Sequence, residues 1–281
     1  MTVKIITDSL SDITADLGKE LGVTVVPLTV LFGHEAFLDR VTMTTEEFYR
    51  RLASDSVWPT TTQPTPAAFA EVYNNLSKET DEILVVTLSG KMSGTYQSAL
   101  GAKNLFSGKC RIEIIDSQLV AMSLGLIVIS ASRKAKAGAK LDELVPWVKK
   151  AMPRSHFVVY FDTLKYLAKG GRIGKAQSLL GAMLSVKPIL TVKDGEMAPL
   201  TRLRSLSAGL DYLYNFAAGH KGAELIAVEH ATTPDEADRL AERLRSVFPK
   251  ERIFKSVISP VLGVHGGPGA MAVTVLEAET K

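Results

Sequence analysis

The sequence predicts an α/β protein of two domains: an N-terminal three-layer α/β/α domain on a parallel sheet, and a smaller C-terminal α/β domain with a mixed sheet. Three observations predict it. Short runs rich in Ile and Val alternate with stretches of helical period through the first half, as in a sheet built from crossover units. In the second half the pattern tightens into hairpin-like pairs, above all Lys187–Val192 and Glu196–Arg204 joined at Asp194-Gly195. The 281 residues, 46% hydrophobic and 22% charged, suffice for two modest cores. The expected division is residues 1–155 and 156–281.

Val3–Ile6 reads as the first strand. It ends in Thr7-Asp8-Ser9-Leu10-Ser11-Asp12, hydroxyls and carboxylates that suit a turn, ahead of a helix around Ala15–Leu21. Val23–Phe32 is strand-like, and Pro27, which has no amide hydrogen to give a ladder, points to an edge position or a bulge. Thr44 or Thr45 caps a helix at Glu46–Ala53, whose acidic first turn favours the helix dipole. Trp58–Pro66 reads as a hydroxyl-rich loop bounded by prolines. Thr65 then caps a helix at Pro66–Leu76, with Pro66 in its first position.

Glu82–Leu88 is a buried strand, Ser89–Thr95 a turn of small residues, and from Tyr96 the period is helical. A strand, a Ser/Gly turn and a helix start place backbone N–H groups and hydroxyls at a positive dipole end, suited to a phosphate or a carboxylate. Arg111–Asp116 is the next strand, followed by a helix at Gln118–Ala137. Leu119–Ile129 within it is hydrophobic nearly all round, so it must be buried on several sides. A helix at Leu141–Ala151 closes the first half.

His156–Phe161 opens the second half as a strand, and a helix follows to Lys169-Gly170-Gly171, where paired glycines suit a C-terminal cap. Leu179–Leu184 is apolar and helical. After the hairpin come a helix at Leu206–Ala218, a strand at Glu224–His230 and a helix at Pro234–Phe248. Strands at Arg252–Ile258 and Met271–Glu277 flank His265-Gly266-Gly267-Pro268-Gly269.

Composition excludes several classes. Thirty-three Lys and Arg against 30 Asp and Glu leave a net charge of +3, too balanced for a nucleic-acid surface. Cys110 is alone, which removes disulfide frameworks and Cys-based metal sites. His34, His156, His220, His230 and His265 lie far apart with no metal-ligand spacing, so no metal is expected. The longest apolar segment falls short of the ~18 residues that a membrane span needs. The first residues enter a strand without a charged-then-apolar leader. The expectation is a cytoplasmic protein without stable membrane insertion.

Two catalytic readings stand against the residues. A Ser/His hydrolase of an acyl ester or thioester would use Ser93 with His265, but the nucleophile elbow G-x-S-x-G is not met: Gly90-Lys91-Met92-Ser93-Gly94 puts the serine one place late. A phosphate loop at Lys169–Lys175 fails twice, since Lys169 stands at the first glycine position and Ala176 follows Lys175. A sugar or dihydroxyacetone-type kinase domain therefore lacks its nucleotide loop. What remains is a set of neutral donors, Thr60–Thr62, Ser93, Thr95 and His265, at expected strand ends and helix starts, where α/β sheets bind ligands. Such donors hold a carboxylate by several hydrogen bonds without an Arg counter-ion.

Taken together the motifs resemble the DegV family, which includes the fatty-acid-binding subunit of bacterial fatty acid kinase. The D-S-x-S-D opening appears at Asp8–Asp12. The P-x-T-S-Q-P-S loop appears as Pro59-Thr60-Thr61-Thr62-Gln63-Pro64-Thr65, with Thr in two places where Ser is usual. The L-S-S-x-x-S-G-T-Y-Q-S-A segment runs from Leu88 to Ala99, with Gly90 for a Ser; D-T-L-x-Y-L-x-K-G-G-R-I is intact at Asp162–Ile173, and H-x-G-P-G closes the set at His265–Gly269. The resemblance implies one long-chain fatty acid held between two domains. Its carboxylate would be bound at Thr61, Ser93 and His265, with Thr62 and Gly94 beside them. It also implies a carrier with no activity of its own and no cofactor, which presents the carboxylate to a separate fatty acid kinase that forms acyl phosphate. Arg172, Arg202 and Arg204 are the expected docking residues for that kinase. An acyl tail gains about 0.8 kcal/mol per buried CH₂, so sixteen carbons supply roughly 10 kcal/mol before costs, and the polar residues need only orient the head group.

Overall fold

The alternation of β1 (Lys4–Asp8) decides how the first half is layered: Ile5 and Ile6 point to opposite faces, and both are buried. A computed structural model describes residues 2–179 and 186–279 of the chain. β1 pairs in parallel with β2 (Val23–Val26) and β6 (Glu82–Thr87), and β6 pairs in parallel with β7 (Arg111–Asp116), giving the sheet order β2-β1-β6-β7. Ile5, Leu84 and Val86 face one core with α1 (Ala15–Leu21), α5 (Met122–Lys136) and α6 (Leu141–Ala151). Ile6, Ile83 and Val85 face a second core with α3 (Pro66–Leu76) and α4 (Thr95–Ala102). The expected three layers form.

The run from Val23 to Phe32 is two strands in two sheets. β2 is an edge strand, Pro27 lies just beyond it, and the chain leaves to form β3 (Thr29–Phe32). β3 pairs antiparallel with β4 (Glu35–Leu38) and with β5 (Thr60–Thr62). The hydroxyl-rich segment expected as loop is thus partly a strand, with Val30 opposite Thr61. After β4, α2 (Thr45–Ser54) starts at Thr44, whose hydroxyl accepts the Glu47 amide.

The second half builds a wider sheet, six strands against four, in the order β10-β9-β8-β13-β11-β12. Its strands are β8 (Ser155–Tyr160), β9 (Lys187–Lys193), β10 (Glu196–Leu203), β11 (Ala223–His230), β12 (Ile253–Val257) and β13 (Met271–Glu277). All neighbours are antiparallel except β11 and β12. The β9–β10 turn has positive φ at both Asp194 and Gly195, as the two-residue hairpin requires. Val158, Tyr160, Ile226 and Val228 turn to α8 (Leu206–Gly219) and α9 (Pro234–Leu244). Phe157, Val159, Ala227 and Ala272 turn the other way, toward α5. That helix is buried along Met122–Ser132 because both large sheets use it, as its unbroken hydrophobicity implies.

Two short helices complete the second half, α7 (Lys165–Lys169) and α10 (Pro260–Gly266). α10 stands where the sequence suggested a loop. It carries two glycines in seven residues, so its propensity is poor and its packing sustains it. A Cβ at Gly263 would lie 2.5 Å from Phe48 and 2.8 Å from the Tyr49 hydroxyl, so α2 seats directly on this glycine. Other bounds shift modestly: α5 starts at Met122, four residues late, and α9 ends at Leu244. The expected helix at Leu179–Leu184 lies, except for Leu179, outside the described residues.

Candidate functional site

The two large sheets and the small one converge on a cavity that opens to solvent. Its apolar wall comes from both halves: Leu10, Leu28 and Leu88 from the first, and Phe157 and Val159 of the six-stranded sheet, with Phe161 just beyond β8, from the second. α10 contributes Val261 and Leu262. Thr61, Thr62, Gln63, Ser93, Arg172 and His265 also line it. An apolar cavity with a few polar groups suits a ligand that is mostly hydrocarbon.

Each of these polar groups is fixed by its own element. Thr61 sits in β5, in register with Val30. Its Oγ1 lies 3.0 Å from His265 Nε2, which the last turn of α10 supplies. Burial, helped by the nearby Arg172 charge, pushes His265 down to about 4, so the ring is neutral at pH 7. Ser93 Oγ is paired with Thr95 Oγ1 at 2.9 Å and accepts the Thr95 amide. Arg172 Nη1 donates to Gly170 O at 2.8 Å and its Nε to Met92 O at 3.2 Å, strapping the turn after α7 to the loop that holds Ser93.

That loop is largely closed on itself. The amides of Met92 and Ser93 donate to Ser89 O, Lys91 N donates to Ser89 Oγ, and Gly90 N to Asp116 Oδ1. The run of free N–H groups expected there is therefore mostly spent on the turn. Gly94 N has no hydrogen-bond partner among the described residues. Gly94 borders a second, more polar recess that adjoins the cavity at Met92, Ser93, Arg172 and Met197. A Cβ at Gly94 would stand 2.7 Å from Gln63 Nε2, so β5 and the α4 start meet there.

The structure thus brings Thr61, Thr62, Ser93 and His265 round one cavity with Arg172. It leaves Arg202 and Arg204 exposed at the far end of edge strand β10, where neither meets a carboxylate among the described residues. Ser93 and His265 do not pair: each is hydrogen-bonded to a threonine instead, and His265 Nδ1 has no partner to orient it as a triad acid would.

Sequence reasoning missed two polar groups on the lining, Gln63 and Glu229. Glu229, fully buried in β11, accepts the Met122 amide at 3.1 Å at the start of α5. It faces Asp12, which takes an ion pair from Arg40 at 3.1 Å and the Ser259 amide. Burial drives both acids up, and the Asp12 charge lifts Glu229 further. A proton shared between the carboxyls also satisfies Asp12 Oδ2 and Glu229 Oε2, which otherwise lack partners. The signal was a Glu inside Ala223–His230, a strand apolar on both faces. The chain also gathers His156, His220 and Glu277, distant in sequence, at the sheet rim. There the two rings stack 4.6 Å apart, and each meets a different oxygen of Glu277.

A sequence profile of the DegV family, described as uncharacterised proteins, matches residues 2–278. A DegV domain-containing protein of Caldanaerobacter subterraneus is 38% identical over 275 residues, 96% of this chain and 97% of that one. A solved Thermus thermophilus structure, described as fatty acid binding of a DegV family protein, superposes with a TM-score of 0.90 at 32% identity, covering 99% of this chain and 100% of that one. DegV of Bacillus subtilis, described as a fatty acid binding protein, also gives 0.90, at 25% identity and with 99% and 100% coverage.

Proposed function

This chain belongs to the DegV family, and from that premise we propose that it carries one long-chain fatty acid and presents the carboxylate to a separate fatty acid kinase for acyl-phosphate formation. The tail lies in the cavity between the two large sheets, which is the seam of an N-terminal domain, 1–155, and a C-terminal domain, 156–281. Thr61, Thr62, Ser93, Gly94 and His265 receive the carboxylate. The protein itself catalyses nothing, needs no cofactor and works in the cytoplasm; no helix among the described residues is long and apolar enough to cross a membrane.

One observation carries this reading: the Thr61–His265 hydrogen bond stands on the wall of an otherwise largely apolar cavity. Fatty acid binding by the Thermus and Bacillus relatives supports it. A neutral His265 suits the role, since it orients the Thr61 hydroxyl toward a carboxylate without a fixed ion pair that would resist release. Arg172, Arg202 and Arg204 serve the kinase, Arg172 at the cavity and the other two along β10.

The test is a titration of delipidated protein with oleate and with the alcohol of the same chain length. Oleate binding tenfold or more tighter than the alcohol supports the reading; equal affinities, or no binding, refute it. Replacing Arg202 and Arg204 with Glu should leave oleate binding intact and abolish oleate-dependent phosphoryl transfer by a fatty acid kinase. Unchanged transfer removes these two residues from the docking surface.

A further inference from the structure

The two glycines that close α7 answer to different constraints. Gly171 has φ +70°, the left-handed conformation that strains a side chain, and nothing lies within 4 Å of where its Cβ would stand. Glycine is there for the backbone. Gly170 has φ −79° and ψ −6°, an ordinary helical conformation open to any residue. A Cβ at Gly170 would nevertheless lie 2.2 Å from His265 Nδ1 and 2.9 Å from its Cε1. Glycine is there for the imidazole.

The ring has no easy retreat. Its Nε2 is held at Thr61, and the chain beyond it is packed: a Cβ at Gly267 would meet the Tyr166 ring at 2.3 Å, and Tyr166 itself is stacked on Trp58. Arg172 clasps the Gly170 carbonyl from the other side. A methyl group at 170 must push the imidazole off Thr61 or part α7 from α10.

We propose that Gly170 is a positioning residue for the head-group site: the space left by its missing side chain seats His265 with Nε2 on Thr61 and fixes the tautomer. His265 Nδ1 is buried without a partner against Gly170, and a buried unpaired N–H is the costlier of the two orphans. The proton of the neutral ring therefore sits on Nε2 and is donated to Thr61 Oγ1. The Thr61 hydroxyl is then left to donate to a ligand oxygen. The role in ligand binding rests on the carboxylate-site reading above; the seating of the ring does not.

The two layers separate experimentally. Long-range ¹H–¹⁵N spectra of the ligand-free protein should show His265 as the single Nε2-protonated tautomer. Gly170→Ala should abolish that signature, while Gly171→Ala should lower the melting temperature and leave it in place. In titrations with oleate, Gly170→Ala should weaken binding on the order of tenfold, the scale of one charge-assisted hydrogen bond, and cost nothing further in a His265→Ala background. If Gly170→Ala alone fails to fold, recovery of folding in that background supports the contact and continued misfolding overturns it. An unchanged imidazole spectrum, or an equal loss of affinity with and without His265, also overturns it. Should the wild type bind no oleate, the carrier reading fails while the spectra still decide the role of Gly170.

Discussion

His265 Nε2 and Thr61 Oγ1 lie 3.0 Å apart across 204 residues of sequence, and that contact joins the small N-terminal sheet to α10 of the second half. The neutral ring and the hydroxyl form one polar unit on an apolar wall. Replacing Thr61 with Val keeps the shape and removes the oxygen. We expect fatty acid affinity to fall by roughly 1.5–3 kcal/mol, with Thr61→Ser retaining most of it, as read by oleate titration.

The low pKa of His265 has a signed consequence. The folded ring titrates at about 4 and an unfolded one at about 6.5, so between these values the unfolded chain binds the extra proton. Its contribution to stability is constant above pH 6.5 and is lost as pH falls toward 4. An NMR titration should find the ring near 4 without ligand and higher once a fatty acid carboxylate sits beside it.

Asp39 runs the opposite way. Burial lifts it to about 7, against the pull of the Ser9 hydroxyl and of Arg40. An acid raised in the folded state stabilises below its unfolded value, and that contribution is lost as pH rises through 7. Asp39→Asn keeps an acceptor for Ser9 and cannot ionise. It should match wild type near pH 3 in urea unfolding and exceed it by roughly 4 kcal/mol at pH 8, the gap opening between pH 4 and 7.

Glu229 tests the shared proton with Asp12. Glu229→Gln supplies a neutral donor to Asp12 and an acceptor to the Met122 amide, so the unfolding midpoint should move little at pH 7. Glu229→Ala strands both groups in the interior and should cost about 2–4 kcal/mol. Equal loss in both variants would count against proton sharing.

Ala272 borders the cavity from β13 and is 1% exposed. A Leu there takes up tail space, and each CH₂ displaced from the cavity forfeits about 0.8 kcal/mol. Ala272→Leu should shift the preferred acyl chain to shorter lengths, measured by competition among saturated acids.

Much of this was legible in the chain, for identifiable reasons. The parallel sheet followed from short Ile- and Val-rich runs alternating with helical stretches, and the β9–β10 hairpin from Asp194-Gly195. Thr61, Ser93 and His265 stood out because their motifs resemble a known family. Three things were hidden. α10 is a helix through its fit to Phe48 and Tyr49, not through propensity. Pro27 divides one apolar run between two sheets, which only β5 as a pairing partner resolves. Arg172 was expected only as a docking residue, whereas it lines the cavity, held there by the Met92 and Gly170 carbonyls.

The most direct measurement is native mass spectrometry of the purified protein, followed by extraction and identification of what it carries. The account predicts one long-chain fatty acid per chain, depleted in Ser93→Ala and in Thr61→Val. A protein that is empty as purified and takes up no added fatty acid would contradict it.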